Sequence, residues 1–322
     1  MTFDISQFSK LRLIVIGDVM LDEYHWCKVQ RISPEAPVPI CQVERTTHVP
    51  GGASNVANNI HCLGATAYLL GVIGQDSSGD KLINACREFG LATDGLIQET
   101  SRPTILKSRV VAHHQHVIRL DREETSDLSD ALIGRLKHTF DRLLPLCDGV
   151  VISDYLKGTL TPSLLSHIIS HAKTAGKPIV VDPKGKNYTK YSGATVLTPN
   201  FLEFETAIMP KLADTEPHIL EAALGLISQL HLSGLVITRS EKGMSVVTSG
   251  GQKTDIATVA RQVFDITGAG DTVISLLALG LSFGLDLDTA ARLANTGAGI
   301  VVGKVGTSTI NIDELKQSLN TL

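Results

Sequence analysis

The sequence predicts an α/β fold built on a mostly parallel sheet that helices cover on both faces. Short runs rich in Val, Ile and Leu alternate with longer amphipathic stretches, which is the rhythm of βα units. Within the runs apolar residues are nearly continuous, as in strands buried on both sides. Polar side chains gather where the runs stop. With 322 residues, 43% of them hydrophobic, the chain is long enough to bury a sizeable core.

The first strand is predicted over 12–17. Region 20–48 then breaks the rhythm, because RISPEAPVPI carries Pro34, Pro37 and Pro39, which forbid a helix and confine any strand to a sheet edge. Residues 102–122 read as two further short strands. The two regions together predict an antiparallel flap, a small β-sheet lid that would exclude water from a crevice beneath it. Between them, PGGASNVANNIHCLGA at 50–65 places Gly51 and Gly52 ahead of apolar residues at helical spacing, with Asn55 in the first turn. Further strands are predicted over 67–73, 148–153, 178–182, 194–198 and 234–239. Thr161 can cap a helix that has Pro162 at its first position and Gly176 after its last turn, and a second helix over 217–233 should end at Gly234. DITGAGDTVISLLALGL at 265–281 turns through glycines into an apolar helix.

Asp18, Asp154, Asp182, Thr198 to Asn200, and Thr238 to Ser240 all lie just past the end of an apolar run. In open α/β sheets the ligand crevice lies outside the carboxyl ends of the strands, so these positions are expected to converge. A net charge of −4 and 4% aromatic residues argue against nucleic acid as a partner. The N-terminus carries acidic Asp4, and its apolar run 13–16 is too short for an export signal, so a cytoplasmic protein is expected. The apolar stretch 273–285 falls short of the ~20 residues of a membrane span and reads as a buried helix. The five cysteines form no C-x-x-C pair, so neither a disulfide framework nor a zinc site is indicated.

The chemistry concentrates in Gly268, Ala269, Gly270 and Asp271. A glycine turn at a helix N-terminus presents unpaired N–H donors and the positive end of the helix dipole, which suits a phosphate whose charge shifts during transfer. Asp271 can face that hole and take a proton from an attacking hydroxyl, or it can simply cap the helix. Neither a Walker A loop nor a G-x-G-x-x-G after the first strand is present. Gly51, Gly52 and Asn55 can hydrogen-bond sugar hydroxyls, although tight helix–strand packing also calls for glycine.

DITGAGD at 265–271, GGASNVA at 51–57, TPNFLEFE at 198–205 and TRSEKGM at 238–244 resemble, in order, the signature segments of the ribokinase-like (PfkB) carbohydrate kinases. The resemblance covers essentially the whole chain and implies a ribokinase-like three-layer α/β/α sandwich with a small lid. GDVMLDEYHW, RISPEAPVP, ISDYLKG, VVDPKG and VVGKVGTST are similar, more narrowly, to the kinase half of bacterial heptose kinase/adenylyltransferases. That resemblance implies ATP-dependent phosphorylation of D-glycero-β-D-manno-heptose 7-phosphate at its anomeric hydroxyl, on the route to ADP-heptose and lipopolysaccharide core. No nucleotidyltransferase H-x-G-H motif occurs in the 322 residues, so a stand-alone kinase, one domain over 1–322, is expected.

The resemblance makes Asp271 the base, with Gly268, Ala269 and Gly270 as donors to the migrating phosphoryl group. It places Asn200, Phe201, Leu202 and Glu203 in the ATP site, with Asn200 and Glu203 holding the phosphates and the water shell of Mg²⁺. Thr238, Ser240 and Gly243 would line the nucleotide side, and Lys184 would reach a phosphate or stand in solvent. Asp18, Gly51, Gly52 and Asn55 would hold the sugar, with Asp22 or Asp154 as further candidates. A phosphorylated acceptor needs a cation, and Arg31, Lys107, Arg109 and Arg119 are available in or near the lid. His113, His114 and His116 read as flap surface, because strand alternation gives them no shared acidic partner. A homodimer through the lids is also implied. Two alternatives stay open: another sugar as substrate (fructose phosphate, ribose or adenosine), and a non-catalytic sugar or nucleotide sensor on the same fold.

Overall fold

The computed structural model describes residues 4–112, 115–208, 216–260, 265–304 and 308–319. Its main sheet comprises β1 (Arg12–Gly17), β4 (Thr66–Gly74), β5 (Leu96–Glu99), β8 (Gly149–Ser153), β9 (Ile179–Asp182), β10 (Val196–Leu197), β11 (Gly234–Thr238), β12 (Met244–Thr248) and β13 (Lys253–Ile256). Among the described residues the strand order is β13-β12-β11-β10-β9-β8-β1-β4-β5, parallel except where β12 pairs antiparallel with β11 and with β13.

Alternation along these strands builds two cores. Leu13, Val15, Val151, Val180 and Val236 face one side, where they pack with α1 (Ala53–Cys62), α2 (Ser77–Glu88), α7 (Ala269–Phe283), α8 (Leu287–Val301) and α9 (Ile312–Leu319). Ile14, Ile16, Ile152, Val181 and Ile237 face the other, against α3 (Asp130–Leu143), α4 (Pro162–Thr174), α5 (Phe201–Ala207) and α6 (Glu216–Leu230). This is the three-layer α/β/α sandwich expected from strands apolar on both faces. Among the described residues no helix is long and apolar enough to cross a membrane.

The strands predicted from the apolar runs all form. β5, β12 and β13 escaped notice: β5 and β13 are short edge strands that bury only part of their surface, and β12 is a five-residue run too short to stand out. α4 begins as the sequence indicates, with Thr161 Oγ1 accepting from Leu164 N–H at 3.3 Å. The next helix differs: α6 stops at Leu230, His231 takes the left-handed turn at φ 54°, and Gly234 opens β11.

The lid comprises β2 (Val19–Ile32), β3 (Pro39–Gly52), β6 (Ile105–Ala112) and β7 (Gln115–Arg122), in the order β3-β2-β6-β7. The expected antiparallel flap is in fact two antiparallel hairpins joined by parallel pairing of β2 with β6. Proline sits where its missing N–H costs nothing, with Pro39 opening edge strand β3. Buried Glu23 fastens the lid to the body, accepting from Ser108 Oγ at 2.6 Å, His48 Nε2 at 3.0 Å and Lys81 Nζ at 3.1 Å, the last on α2. Burial alone would raise the Glu23 carboxyl, but these donors outweigh it and hold it down to about 2.

Candidate active site

The site begins at the N-terminus of α7. Gly268 adopts φ 83°, a left-handed turn that suits glycine, and among the described residues no side chain caps the helix. The Ala269 N–H is spent on the Ile266 carbonyl at 3.2 Å, which corrects its expected role as a donor to phosphate. Among the described residues the Gly270 and Asp271 N–H groups have no such acceptor, and a Cβ on Gly270 would meet nothing within 4 Å. Unpaired donors, the helix dipole and open space make an anion hole.

Asp271 does not cap its own helix. Its Oδ2 accepts from Asn55 Nδ2 at 2.6 Å and its Oδ1 from the Tyr155 hydroxyl at 2.9 Å. The residue is 7% exposed, and burial pushes its carboxyl up to about 6 against the pull of these two donors. A base tuned to that range is ionised at neutral pH yet still takes a proton readily. Turnover is therefore expected to fall as pH drops through about 6. Tyr155→Phe removes a bond to the ionised form, so kcat should fall about tenfold, the lower end for a hydrogen bond to a charged group. The acid limb of its pH–kcat profile should move upward. An unmoved limb would mean that Tyr155 does not tune Asp271.

Tyr155 is held by an unusual loop. Asp18, fully buried after β1, accepts the backbone N–H groups of Tyr155, Lys157 and Thr159 at 2.9, 3.0 and 3.2 Å. Leu156 between them is forced to φ 55°. Asp18 thus organises the loop instead of reaching the cleft, contrary to its expected sugar contact. Asp154 departs in the same way: it is 2% exposed and accepts from Lys190 Nζ and the Tyr191 hydroxyl, both at 2.6 Å, and from Leu156 N–H at 2.7 Å.

On the nucleotide side, Asn200 and Glu203 form a capping box at α5: Glu203 N–H donates to Asn200 Oδ1, and Asn200 N–H donates to Glu203 Oε2, both at 2.9 Å. The N-x-x-E spacing is thereby explained by helix capping, while both side chains still line the cleft. Lys184 also lines it and is ion-paired with Glu203, so it is neither free nor fully solvated. Asp182 faces the same space. Burial, then the charges of Asp271 and Glu203, push its carboxyl well above the usual range. Thr198 and Thr238 complete the wall.

Four other residues expected on the nucleotide side do not line this cleft. Ser240 and Gly243 make the β11–β12 turn, where Gly243 holds φ 80°. Leu202 stands 71% exposed, and the Phe201 ring packs under the Arg239 guanidinium at 5.8 Å.

On the lid side, Gly51 and Gly52 are buried in β3, and a Cβ on Gly51 would come 2.6 Å from Asp22 Oδ2. Close packing, the alternative reason for these glycines, is therefore real. Asp22 pairs with buried Arg109 at 2.6 Å. Lys107 is half-buried over the Tyr155 ring at 5.3 Å and has no ion pair among the described residues; burial holds its ammonium below the usual range. Arg119 pairs with Asp121, and Arg31 is exposed. Lys107 is thus the lid cation that points to Asp271's neighbourhood. Asn55 Oδ1 is buried and has no hydrogen-bond partner among the described residues, an acceptor beside the base. His116 is exposed, and His113 and His114 lie outside the described residues.

Tyr155, Asp182, Asn200, Glu203, Gly270 and Asp271 are among the residues lining an open cleft of about 180 Å³, room for the reacting groups of two substrates but not for the whole of both. The arrangement can ionise an acceptor hydroxyl, receive a migrating anion and hold a hydrated hard cation on oxygen ligands. Tyr155 went unsingled in the sequence, although its segment ISDYLKG stood out; nothing local to it announces a partner in α7.

The model of the pfkB family of carbohydrate kinases matches residues 10–314. Among curated proteins, the chain is 44% identical over 318 residues to the bifunctional protein HldE of Desulfatibacillum aliphaticivorans, covering 99% of this chain and 65% of the relative. It is 47% identical over 307 residues to the HldE of Citrifermentans bemidjiense, covering 95% and 63%. The chain thus spans less than two thirds of the length of these relatives. Solved structures of similar fold include Escherichia coli phosphofructokinase-2 in complex with potassium (TM-score 0.80, 18% identity, 97% of this chain and 98% of that one). Another is Arabidopsis thaliana ribokinase complexed with ribose and ATP (TM-score 0.74, 19% identity, 96% and 98%).

Proposed function

The chain belongs to the pfkB family of carbohydrate kinases, and from that premise we propose that it transfers the γ-phosphoryl group of ATP to the anomeric hydroxyl of D-glycero-β-D-manno-heptose 7-phosphate. Such a step leads toward ADP-heptose and lipopolysaccharide core. The single feature that carries the kinase reading is Asp271, held by Asn55 and Tyr155 beside the uncapped start of α7. The heptose acceptor is supported by the lid and strand-end segments that resemble heptose kinase/adenylyltransferases, and by the similarity to the HldE relatives.

Asp271 takes the proton of the acceptor hydroxyl as its oxygen bonds to the γ-phosphorus and the bond to the β-phosphate oxygen breaks, releasing ADP. The Gly270 and Asp271 N–H groups receive the charge spread over the phosphoryl oxygens. Asn55 Oδ1, otherwise an orphan, accepts from a sugar hydroxyl. Asp182, Asn200 and Glu203 offer the oxygen donors that suit Mg²⁺ with its water shell, which would neutralise charge between the phosphates. Lys107, desolvated and without an ion pair among the described residues, is the cation for the acceptor's own phosphate. Val117, Ile118 and Leu120 on β7 are exposed, which supports a homodimer that covers the lids.

The test is ADP release with Mg·ATP across a panel of sugars and sugar phosphates. Turnover confined to the heptose 7-phosphate is the expected result. Faster turnover of fructose 6-phosphate removes the heptose reading, and silence across the panel removes catalysis and favours a sensor. Light scattering on the same preparation reads the assembly, where a monomer contradicts the dimer.

A further inference from the structure

Away from the cleft, three metal-ligating side chains meet between α3 and α4. His167 and His171 lie one turn apart on α4, their rings stacked with centroids 3.9 Å apart and planes inclined by 28°. Asp141 reaches across from α3, its Oδ1 2.7 Å from His167 Nε2. One ligand atom from each of the three lies within 4.8 Å of the others. His171 Nδ1 is 2.8 Å from the His167 carbonyl, which can only accept, so Nδ1 carries the hydrogen and Nε2 keeps its lone pair. Such a backbone bond on the far nitrogen is how ligating histidines are held in one tautomer. His167 is steadied in turn by the edge of Phe140, with ring centroids 6.3 Å apart.

We propose that Asp141, His167 and His171 form a binding site for a divalent transition ion of the zinc class, with water completing the coordination. The ion takes the place of the proton shared by His167 Nε2 and Asp141. Two imidazoles and one carboxylate suit Zn²⁺, Ni²⁺ or Cu²⁺, whereas Mg²⁺ and Ca²⁺ favour oxygen alone. The i, i+4 spacing and a carboxylate from the neighbouring helix make the site a clasp between α3 and α4, which otherwise share the Lys137 Nζ to Ser163 Oγ bond of 2.9 Å and apolar packing. The site also lies apart from phosphoryl transfer. The C-terminal halves of α3 and α4 lead toward the starts of β8 and β9, while the cleft lies beyond the opposite ends of those strands.

The experiment is calorimetric titration of Zn²⁺ into the metal-stripped full chain in Mg²⁺ buffer, with thermal unfolding of the same samples. The wild type should bind one Zn²⁺ and unfold at higher temperature when loaded. His171→Ala and Asp141→Asn should each weaken binding by at least about tenfold, since even outer-shell partners of a metal site are worth that much. Both variants should keep wild-type unfolding temperature and kinase turnover without zinc, which separates loss of a ligand from loss of fold. Equal Zn²⁺ affinity in wild type and variants, or no uptake by the wild type, would overturn the site.

Discussion

Asp271→Asn is expected to lower kcat by about 10²–10⁴-fold, the usual contribution of a positioned general base, while ATP binding persists. An asparagine still fits between Asn55 and Tyr155 but cannot take the hydroxyl's proton. The same change should stabilise the protein at neutral pH. A carboxyl whose folded pKa rises from 3.8 to about 6 favours the native state fully only below 3.8, and that advantage is lost as pH climbs through about 6. Above that pH the wild type carries the whole cost of a buried charge, at most about 3 kcal/mol for two pH units, and the amide removes it. Single-turnover kinetics and urea unfolding at neutral pH read the two effects separately. Activity within tenfold of wild type, a loss under about 1.4 kcal/mol, would take the base role away from Asp271.

Asp18→Ala is expected to destabilise the chain by about 3 kcal/mol or more and to depress kcat with it. Three loop N–H groups lose their acceptor, at about 1–3 kcal/mol for each that stays buried. Leu156 also loses what keeps it at φ 55°, a conformation that costs about 1–3 kcal/mol. Tyr155 leaves the loop's register, so Asp271 loses a partner without being touched. Asp18→Asn should fail similarly, because its amide group would turn a donor toward a donor. Denaturant midpoints and kcat for both variants check this. A wild-type midpoint with only a raised KM for the sugar would return Asp18 to direct substrate contact.

Asp18 and Asp154 show why strand ends mislead. Both are acids just past buried strands, where a sheet presents its ligands, and both turn inward to accept backbone N–H groups of the loop 154–159. An acid at such an end has two uses of equal local appearance, and nothing near it in the chain tells them apart. Asn200 and Glu203 have both uses at once, a capping box whose side chains also line the cleft. Ser240 and Gly243 belong to a turn whose geometry needs the glycine, so their likeness to a nucleotide loop reflects backbone shape as well.

The sequence by itself determined the central strands and their layering, because apolar periodicity is a property of neighbours in the chain. Runs apolar on both faces become central strands, and the start of any helix leaves N–H groups without partners inside the helix. It also determined that Asp271 begins such a helix. Whether that carboxylate caps or catalyses was decided by Asn55 and Tyr155, which reach it from 216 and 116 residues away. Only the tertiary structure could bring those donors in, exclude the water that would otherwise lower the carboxyl to its ordinary range, and leave Lys107 desolvated above the Tyr155 ring. Burial and long-range pairing set the charge state of a group, and neither is written in its local sequence.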